Sequence, residues 1–331
     1  MGGIFLEILI AFPLQDEDRK NLLDAAPEMT FTFCDRWEDI SPETAKKTEI
    51  LFGNIPPAVL SSFPHLKWLQ TASAGFDKYL DTEDLPKDLL LTGASGAYGE
   101  NISEYMLCAV LNHFQNFHRM RDNQKKSLWK DEGLAKNILN STVIIVGTGN
   151  IGSEFAKRIH LLGASRIIGF RRNVSAKKPE FFDEIYSAED IDPFLSIADI
   201  IASTLPASFE TMNFFDRTRI FRFKKDAVFV NVGRGTTVDL DALCDAVDSG
   251  ILRGATLDVT DPEPLPPSHR AWSVENLIIT PHVAGGFRDH LLPTSGNCIS
   301  LKNILKIFLS NLNRFQKGEP LHNIVPHSVG R

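Results

Sequence analysis

Residues 142–152 constrain this chain more tightly than any other stretch. Thr142–Val146 is an apolar, β-branched run, and so short a run without polar alternation suits a strand buried on both faces. It ends in Gly147, Gly149 and Gly152, spaced G-x-G-x-x-G. It then enters Ser153–Leu162, where Phe155, Ala156, Ile159 and Leu162 recur at helical spacing. Many α/β proteins carry a glycine-rich turn; strand, turn and helix in this order are the context of a dinucleotide-binding turn. Gly147 would allow the tight turn, Gly149 would let backbone approach a pyrophosphate, and Gly152 would let the helix lie close on its strand. Asn150 and Ile151 open that helix, whose free N–H groups would face the phosphates.

The rest of the chain reads as α/β with parallel sheets. Before the fingerprint, strands are expected at residues 4–12, 30–34, 49–52, 66–70 and 90–92, with a polar helix at 16–26. Strands alternating with helices predict a sheet covered on both sides. No glycine fingerprint follows the first strand, which predicts a separate domain. Thr71–Asp77, after the fourth strand, is made largely of small residues. Ser73, Ala74 and Gly75 could present backbone N–H groups to a carboxylate, although a plain strand–helix turn accounts for the local pattern equally well. Gly93–Gly99 reads as a flexible loop. Asn101 then starts a long helix with Glu104 as capping-box partner and Tyr105, Met106, Val110 and His113 on its apolar face. His113 is expected to be a packed histidine rather than a ligand. Arg119–Lys130 is expected to be a solvated loop around Trp129.

The second strand of the fingerprint unit, Arg166–Asn173, ends in Arg171 and Arg172. An acidic residue there would hold a ribose 2′-OH and repel a 2′-phosphate; two guanidiniums can bind that phosphate through forked, charge-assisted hydrogen bonds. NADP is therefore expected ahead of NAD, which stays possible, while a solvated basic corner is the bland alternative. Three later strands end in groups with chemical use. Ala227–Gly235 ends in Arg234 between two glycines, Gly254–Val259 leads through Asp258 to Glu263 in a proline-rich loop, and Leu277–Gly286 carries His282. An arginine can clamp a carboxylate and polarise a carbonyl, and an imidazole can supply a proton. A carboxylate on that imidazole raises its pKa. Singly, each residue has an ordinary explanation; at the ends of successive strands, beside a nicotinamide, they suffice for hydride transfer to a keto acid.

With those residues in view, the chain resembles the D-2-hydroxyacid dehydrogenase family. The matching pieces are Gly147–Gly152, Thr204–Pro206, Asn231–Gly235, Leu257–Pro266 and Thr280–Gly285, in the family's order. The resemblance implies a flavodoxin-like substrate domain, residues 1–101 and 288–331, with a doubly wound Rossmann-like cofactor domain, residues 102–287, inserted into it. It implies Arg234, Glu263 and His282 as the catalytic set, and Asp258 against the nicotinamide. Further dinucleotide contacts are implied at Leu205, Pro206, Thr211, Val232, Gly233 and Ala284. The substrate carboxylate falls to Ser73, Ala74 and Gly75 with Arg234 and His282. A final amphipathic helix, 297–315, is expected to pack on the N-terminal domain, and a homodimer is implied through the cofactor domain. Arg171, where NAD-preferring members are acidic, resembles the NADPH-dependent glyoxylate/hydroxypyruvate reductases. A small 2-keto acid reduced to the D-2-hydroxy acid is the expected reaction. Alternatives are other members acting with NAD on phosphoglycerate or branched keto acids, and a non-catalytic dinucleotide sensor like the C-terminal-binding co-repressors that share the fold.

Bulk properties narrow the partners. A formal net charge of −7 over 331 residues argues against nucleic acid or an anionic membrane surface. No apolar run approaches transmembrane length and no signal-peptide pattern opens the chain, so a cytoplasmic protein is expected. Cys34, Cys108, Cys244 and Cys298 form no C-x-x-C pair, which predicts free buried thiols and no metal site.

Overall fold

The computed structural model describes residues 6–80, 85–86, 88–286 and 298–325. Ile4, Phe5 and Asn297, expected at element ends, lie outside the described residues. The chain divides into two compact units, Met1–Tyr98 with Gly286–Arg331, and Gly99–Gly285.

The first unit holds a five-stranded parallel sheet of β1 (Glu7–Ile10), β2 (Thr30–Phe33), β3 (Ile50–Phe52), β4 (Trp68–Gln70) and β5 (Leu90–Thr92), in the order β2-β1-β3-β4-β5. That is the flavodoxin-like winding. The helix Ile299–Gln316 covers part of one face, with Phe308 stacked on Phe52 at 4.3 Å and on Trp68 at 5.5 Å between ring centroids. A buried polar chain fixes its register. Asn311 Nδ2 donates to Gln70 Oε1 at 3.2 Å, which also accepts the Thr92 hydroxyl at 2.7 Å, and Trp68 Nε1 donates to Thr92 Oγ1 at 2.7 Å. All four residues are fully buried, and a misplaced helix would leave these groups unsatisfied, each at a cost of about 1–3 kcal/mol.

The second unit holds seven parallel strands, β6 (Thr142–Val146), β7 (Arg166–Arg171), β8 (Glu184–Ser187), β9 (Ile200–Ser203), β10 (Ala227–Asn231), β11 (Leu252–Leu257) and β12 (Leu277–Ile279), ordered β12-β11-β10-β9-β6-β7-β8. Winding starts at β6 and runs outward both ways, placing a topological switch point between β6 and β9. The apolar runs follow from burial on both faces. Successive side chains of a strand point to opposite faces, so Ile144 and Val146 join one core with Phe170, Phe229 and Leu243. Val143 and Ile145 join another with Phe155, Ile159, Val228 and Val230.

Several local expectations change. Phe117–Lys125, which takes in the first part of the expected solvated loop Arg119–Lys130, is a helix; Asn116, at φ 57°, turns the chain into it from the helix Gly99–Phe114. Trp129 lies beyond that helix, fully exposed. The long helix starts at Gly99, so Glu104 lies past its first turn and approaches Arg158 at 3.5 Å instead of capping. The stretch Gly93–Gly99 is pinned rather than loose. Gly93 N–H donates to Asn323 O at 3.1 Å and Ala94 N–H to Ser73 O at 2.9 Å, with Ala94 and Ala97 fully buried. Of the four free thiols, Cys244 alone is buried; Cys108 is exposed and the other two are intermediate. His113 is a packed core residue. Its Nε2 lies 2.9 Å from Thr256 Oγ1, and burial pushes its pKa down to about 3. A Cβ on Gly254 would lie 2.3 Å from His113 Nδ1, so the glycine makes room for the ring. Among the described residues, no helix is long and apolar enough to cross a membrane.

Candidate active site

The glycines of the fingerprint divide into two kinds. A Cβ on Gly147, at φ 99°, would lie 2.3 Å from Thr204 Oγ1, and one on Gly152 would lie 2.0 Å from the Gly147 carbonyl oxygen. Both positions are closed to a side chain by the protein's own backbone and by Thr204. Gly149 has nothing within 4 Å of its Cβ position. It is the N-cap of the helix Asn150–Leu161 and supplies no side-chain cap, so no capping side chain occupies the first-turn amides. A phosphate suits such a helix start, and the residues present fit a pyrophosphate.

Around that turn, Thr204 Oγ1 donates to the Gly147 carbonyl at 3.0 Å, and the Thr211 hydroxyl donates to Pro206 O at 2.7 Å. Leu205, Val232 and Ala284 are buried. The two arginines after β7 are not idle. The Arg171 guanidinium donates to the carbonyls of Ala176 and Lys177, while its Nε is buried without a hydrogen-bond partner. Arg172 is exposed and paired with Glu210 at 3.1 Å. One buried donor is thus left over at the strand end where a ribose would lie.

At the C-terminal ends of β10, β11 and β12 the expected trio comes together. Asn231, the last residue of β10 and fully buried, accepts the Gly233 amide at 3.1 Å and donates to the Arg234 carbonyl at 3.0 Å; the Thr237 hydroxyl donates to the same carbonyl at 2.7 Å. Glycine on either side of Arg234 is a packing requirement. A Cβ on Gly233 would lie 2.3 Å from Leu205 O, and one on Gly235 only 2.0 Å from the carbonyl carbon of Thr260. His282 Nδ1 lies 2.6 Å from Glu263 Oε1. That hydrogen bond, with the carboxylate's charge, raises the imidazole pKa above its ordinary value, against desolvation and against the opposing charge of Arg234. Burial pushes the Glu263 carboxyl up, but the His282 bond and charge, with Arg234 behind them, hold it below the usual range. Arg234 is near enough to act on both partners.

Asp258 organises the turn that carries His282. Its carboxylate is buried and accepts the Thr280 hydroxyl at 2.6 Å and the amides of Val283 and Ala284, each at 2.9 Å. In the first unit, the Thr71–Asp77 stretch is shaped by Asn54, whose Oδ1 accepts the amides of Ala72 at 3.0 Å and Ser73 at 3.3 Å. The Ser73 amide, expected to face outward, is thus used internally, and the Ser73 hydroxyl donates to Gly75 O at 2.8 Å. Asn54 and Thr237 carried no signal in the sequence, because a lone polar residue outside a periodic run has no pattern to mark it.

Comparison with known proteins bears on the family and the fold. The NAD binding domain of D-isomer specific 2-hydroxyacid dehydrogenases matches residues 107–284. A glyoxylate/hydroxypyruvate reductase B of Shigella dysenteriae serotype 1 is 27% identical over 266 residues, 76% of this chain and 81% of that protein. A D-isomer specific 2-hydroxyacid dehydrogenase family protein from Aeromonas salmonicida has a TM-score of 0.83 at 29% identity, covering 98% of this chain and 99% of that one. An NADPH-dependent glyoxylate/hydroxypyruvate reductase from Sinorhizobium meliloti, in complex with NADP and sulfate, has a TM-score of 0.77 at 25% identity over 97% and 98% of the two chains. The chain belongs to the D-isomer specific 2-hydroxyacid dehydrogenase family. It is an NAD(P)-dependent oxidoreductase of that family, with a nicotinamide dinucleotide as its cofactor.

Proposed function

We propose that this enzyme reduces a small 2-keto acid, glyoxylate or hydroxypyruvate first, to the D-2-hydroxy acid with NADPH. The observation that carries the reading is the 2.6 Å His282–Glu263 pair within electrostatic reach of Arg234. A reduced nicotinamide dinucleotide, when bound, would supply the hydride. Because Glu263 engages Nδ1, the other ring nitrogen of His282 is the one that gives its proton to the carbonyl oxygen, and Arg234 binds the substrate carboxylate and polarises the carbonyl. Glu263 keeps the imidazole protonated and aimed. Ser73, Ala74 and Gly75 are the proposed carboxylate-binding loop of the substrate domain, formed by the first unit, and the second unit is the proposed cofactor domain. The proposed dinucleotide contacts are Gly147, Gly149, Asn150, Ile151 and Gly152, then Leu205, Pro206, Thr211, Val232, Gly233, Asp258 and Ala284.

Preference for NADPH rests on Arg171 and Arg172, with no acid at that strand end, and is in keeping with the NADP bound to the Sinorhizobium reductase. The test is NADPH and NADH oxidation against glyoxylate, hydroxypyruvate, pyruvate, phenylpyruvate and a branched 2-keto acid. The expected result is turnover of a small keto acid with NADPH well above NADH; NADH-dominant turnover would keep the reaction and remove the arginine assignment. Arg171→Asp is expected to lower the NADPH-to-NADH ratio of kcat/KM about 10- to 100-fold, the equivalent of losing ~1.5–3 kcal/mol of hydrogen bonding to a charged group. An unchanged ratio would contradict a 2′-phosphate at Arg171.

A homodimer is proposed through the second unit. Six large apolar residues between 117 and 139 are exposed, namely Phe117, Met120, Leu128, Trp129, Leu134 and Leu139, more than a monomer's isolated surface residues require. Sedimentation equilibrium should give twice the chain mass, and Trp129→Ser should weaken the association; a monomeric mass at micromolar concentration would refute it.

A further inference from the structure

We propose that Tyr105 and Thr280 are positioning residues for His282, acting through the buried carboxylate of Asp258. The inference rests on His282 being the proton donor. His282 sits at φ 55°, in the left-handed region that few side chains other than glycine enter without support. The support is visible. Its N–H donates to the carbonyls of Asp258 at 2.8 Å and Thr280 at 3.0 Å, and the next two amides, of Val283 and Ala284, donate to the Asp258 carboxylate. The turn that aims the imidazole therefore hangs from one residue at the end of β11, backbone and side chain together.

That carboxylate has to point the right way, and its third donor is itself held by a residue on a distant helix. Thr280 gives its hydroxyl proton to Asp258 Oδ1 at 2.6 Å, so its own oxygen is left to accept. Tyr105 Oη lies 2.6 Å from that oxygen. With the threonine proton already committed, the phenol must be the donor. Burial raises the phenol pKa to about 12, so it keeps the proton throughout the working range. A directed chain thus runs from the helix Gly99–Phe114 through Thr280 and Asp258 to the two amides that follow His282. Each member has a single arrangement in which it is satisfied, which is how a buried polar network fixes one geometry.

The test removes one oxygen at a time. Tyr105→Phe and Thr280→Val each delete a hydroxyl with little change in volume, and Thr280→Ser returns it. A small misplacement of the reacting group can cost about 10²-fold in rate, so the two deletions are expected to lower kcat by roughly 5- to 50-fold. The keto-acid KM should stay near wild type. The solvent isotope effect on kcat should rise, because proton delivery becomes slower, and Thr280→Ser should recover most of the rate. Melting temperature and circular dichroism report whether each variant is folded. His282→Asn is assayed in parallel. If His282→Asn is inactive while Tyr105→Phe and Thr280→Val keep wild-type kcat and isotope effect, the positioning role is overturned and the proton-donor reading stands. Loss of kcat matched by melting-point loss, with no change in isotope effect, would also overturn it. Turnover surviving in His282→Asn would remove the reading and this inference together.

Discussion

Replacing His282 by asparagine is expected to lower kcat about 10²- to 10⁴-fold, the range a general acid contributes, while leaving dinucleotide affinity near wild type. Asparagine is the informative choice because it tolerates the left-handed backbone better than alanine or a β-branched residue, and His282 sits at φ 55°. The turn then keeps its hydrogen bonds to Asp258 while the proton is lost. The partner substitution, Glu263→Gln, separates pKa from presence. With Glu263 in place the imidazole pKa is raised, so reduction should run at full rate at low pH and fall as pH climbs through that raised value. Removing the carboxylate should move the falling limb to lower pH. The pair's contribution to stability has the same sign, complete below the ordinary histidine pKa and lost as pH rises through the folded one. Steady-state rates across pH, with dinucleotide binding followed by fluorescence, check both variants. A large loss of dinucleotide affinity in His282→Asn would contradict its assignment as the acid, and an unmoved limb in Glu263→Gln would contradict the coupling.

The second large effect is expected at Arg234. Arg234→Gln should reduce kcat/KM for the keto acid about 10²- to 10³-fold, the cost of removing a preorganised donor from a developing oxyanion. Arg234→Lys should recover only part of it, because an ammonium has the charge but not the fork. The loop itself should survive either change. It is held by the Arg234 carbonyl, bonded to Asn231 and Thr237, and by close packing at Gly233 and Gly235, and the guanidinium adds a bond from Nη1 to the Gly233 carbonyl at 2.8 Å. Rates with varied keto acid at saturating dinucleotide measure the loss. A glutamine variant within threefold of wild type would leave Arg234 without the role given to it here.

Much of the scaffold was readable in the sequence because the strands are apolar through their length and separated by short helices. Those patterns come from burial on both faces, as β6 demonstrates by sending alternate residues into different cores. What escaped reading was weakly buried or polar. β8 has four half-buried residues and lies at the sheet edge, so neither face imprints a period. The helix Phe117–Lys125 has no buried residue, and its charged sequence looks like a loop. In the site, Arg234, Glu263 and His282 stood out by residue type at strand ends. Their supports did not, because Tyr105 and Thr280 meet across 175 positions, a separation that leaves no local trace. Arg171 shows the converse. Its identity was plain, but its turn back onto the carbonyls of Ala176 and Lys177 depends on how the following loop closes.

The unequal surroundings of the three fingerprint glycines turn the phosphate turn into a measuring gauge. Gly147 and Gly152 abut neighbouring atoms, so any side chain there reports on the protein's own fit. Gly149 opens onto empty space. Alanine at that position adds a Cβ with nothing of the chain within 4 Å. A loss of dinucleotide affinity in Gly149→Ala would then report how closely a dinucleotide seats on the turn.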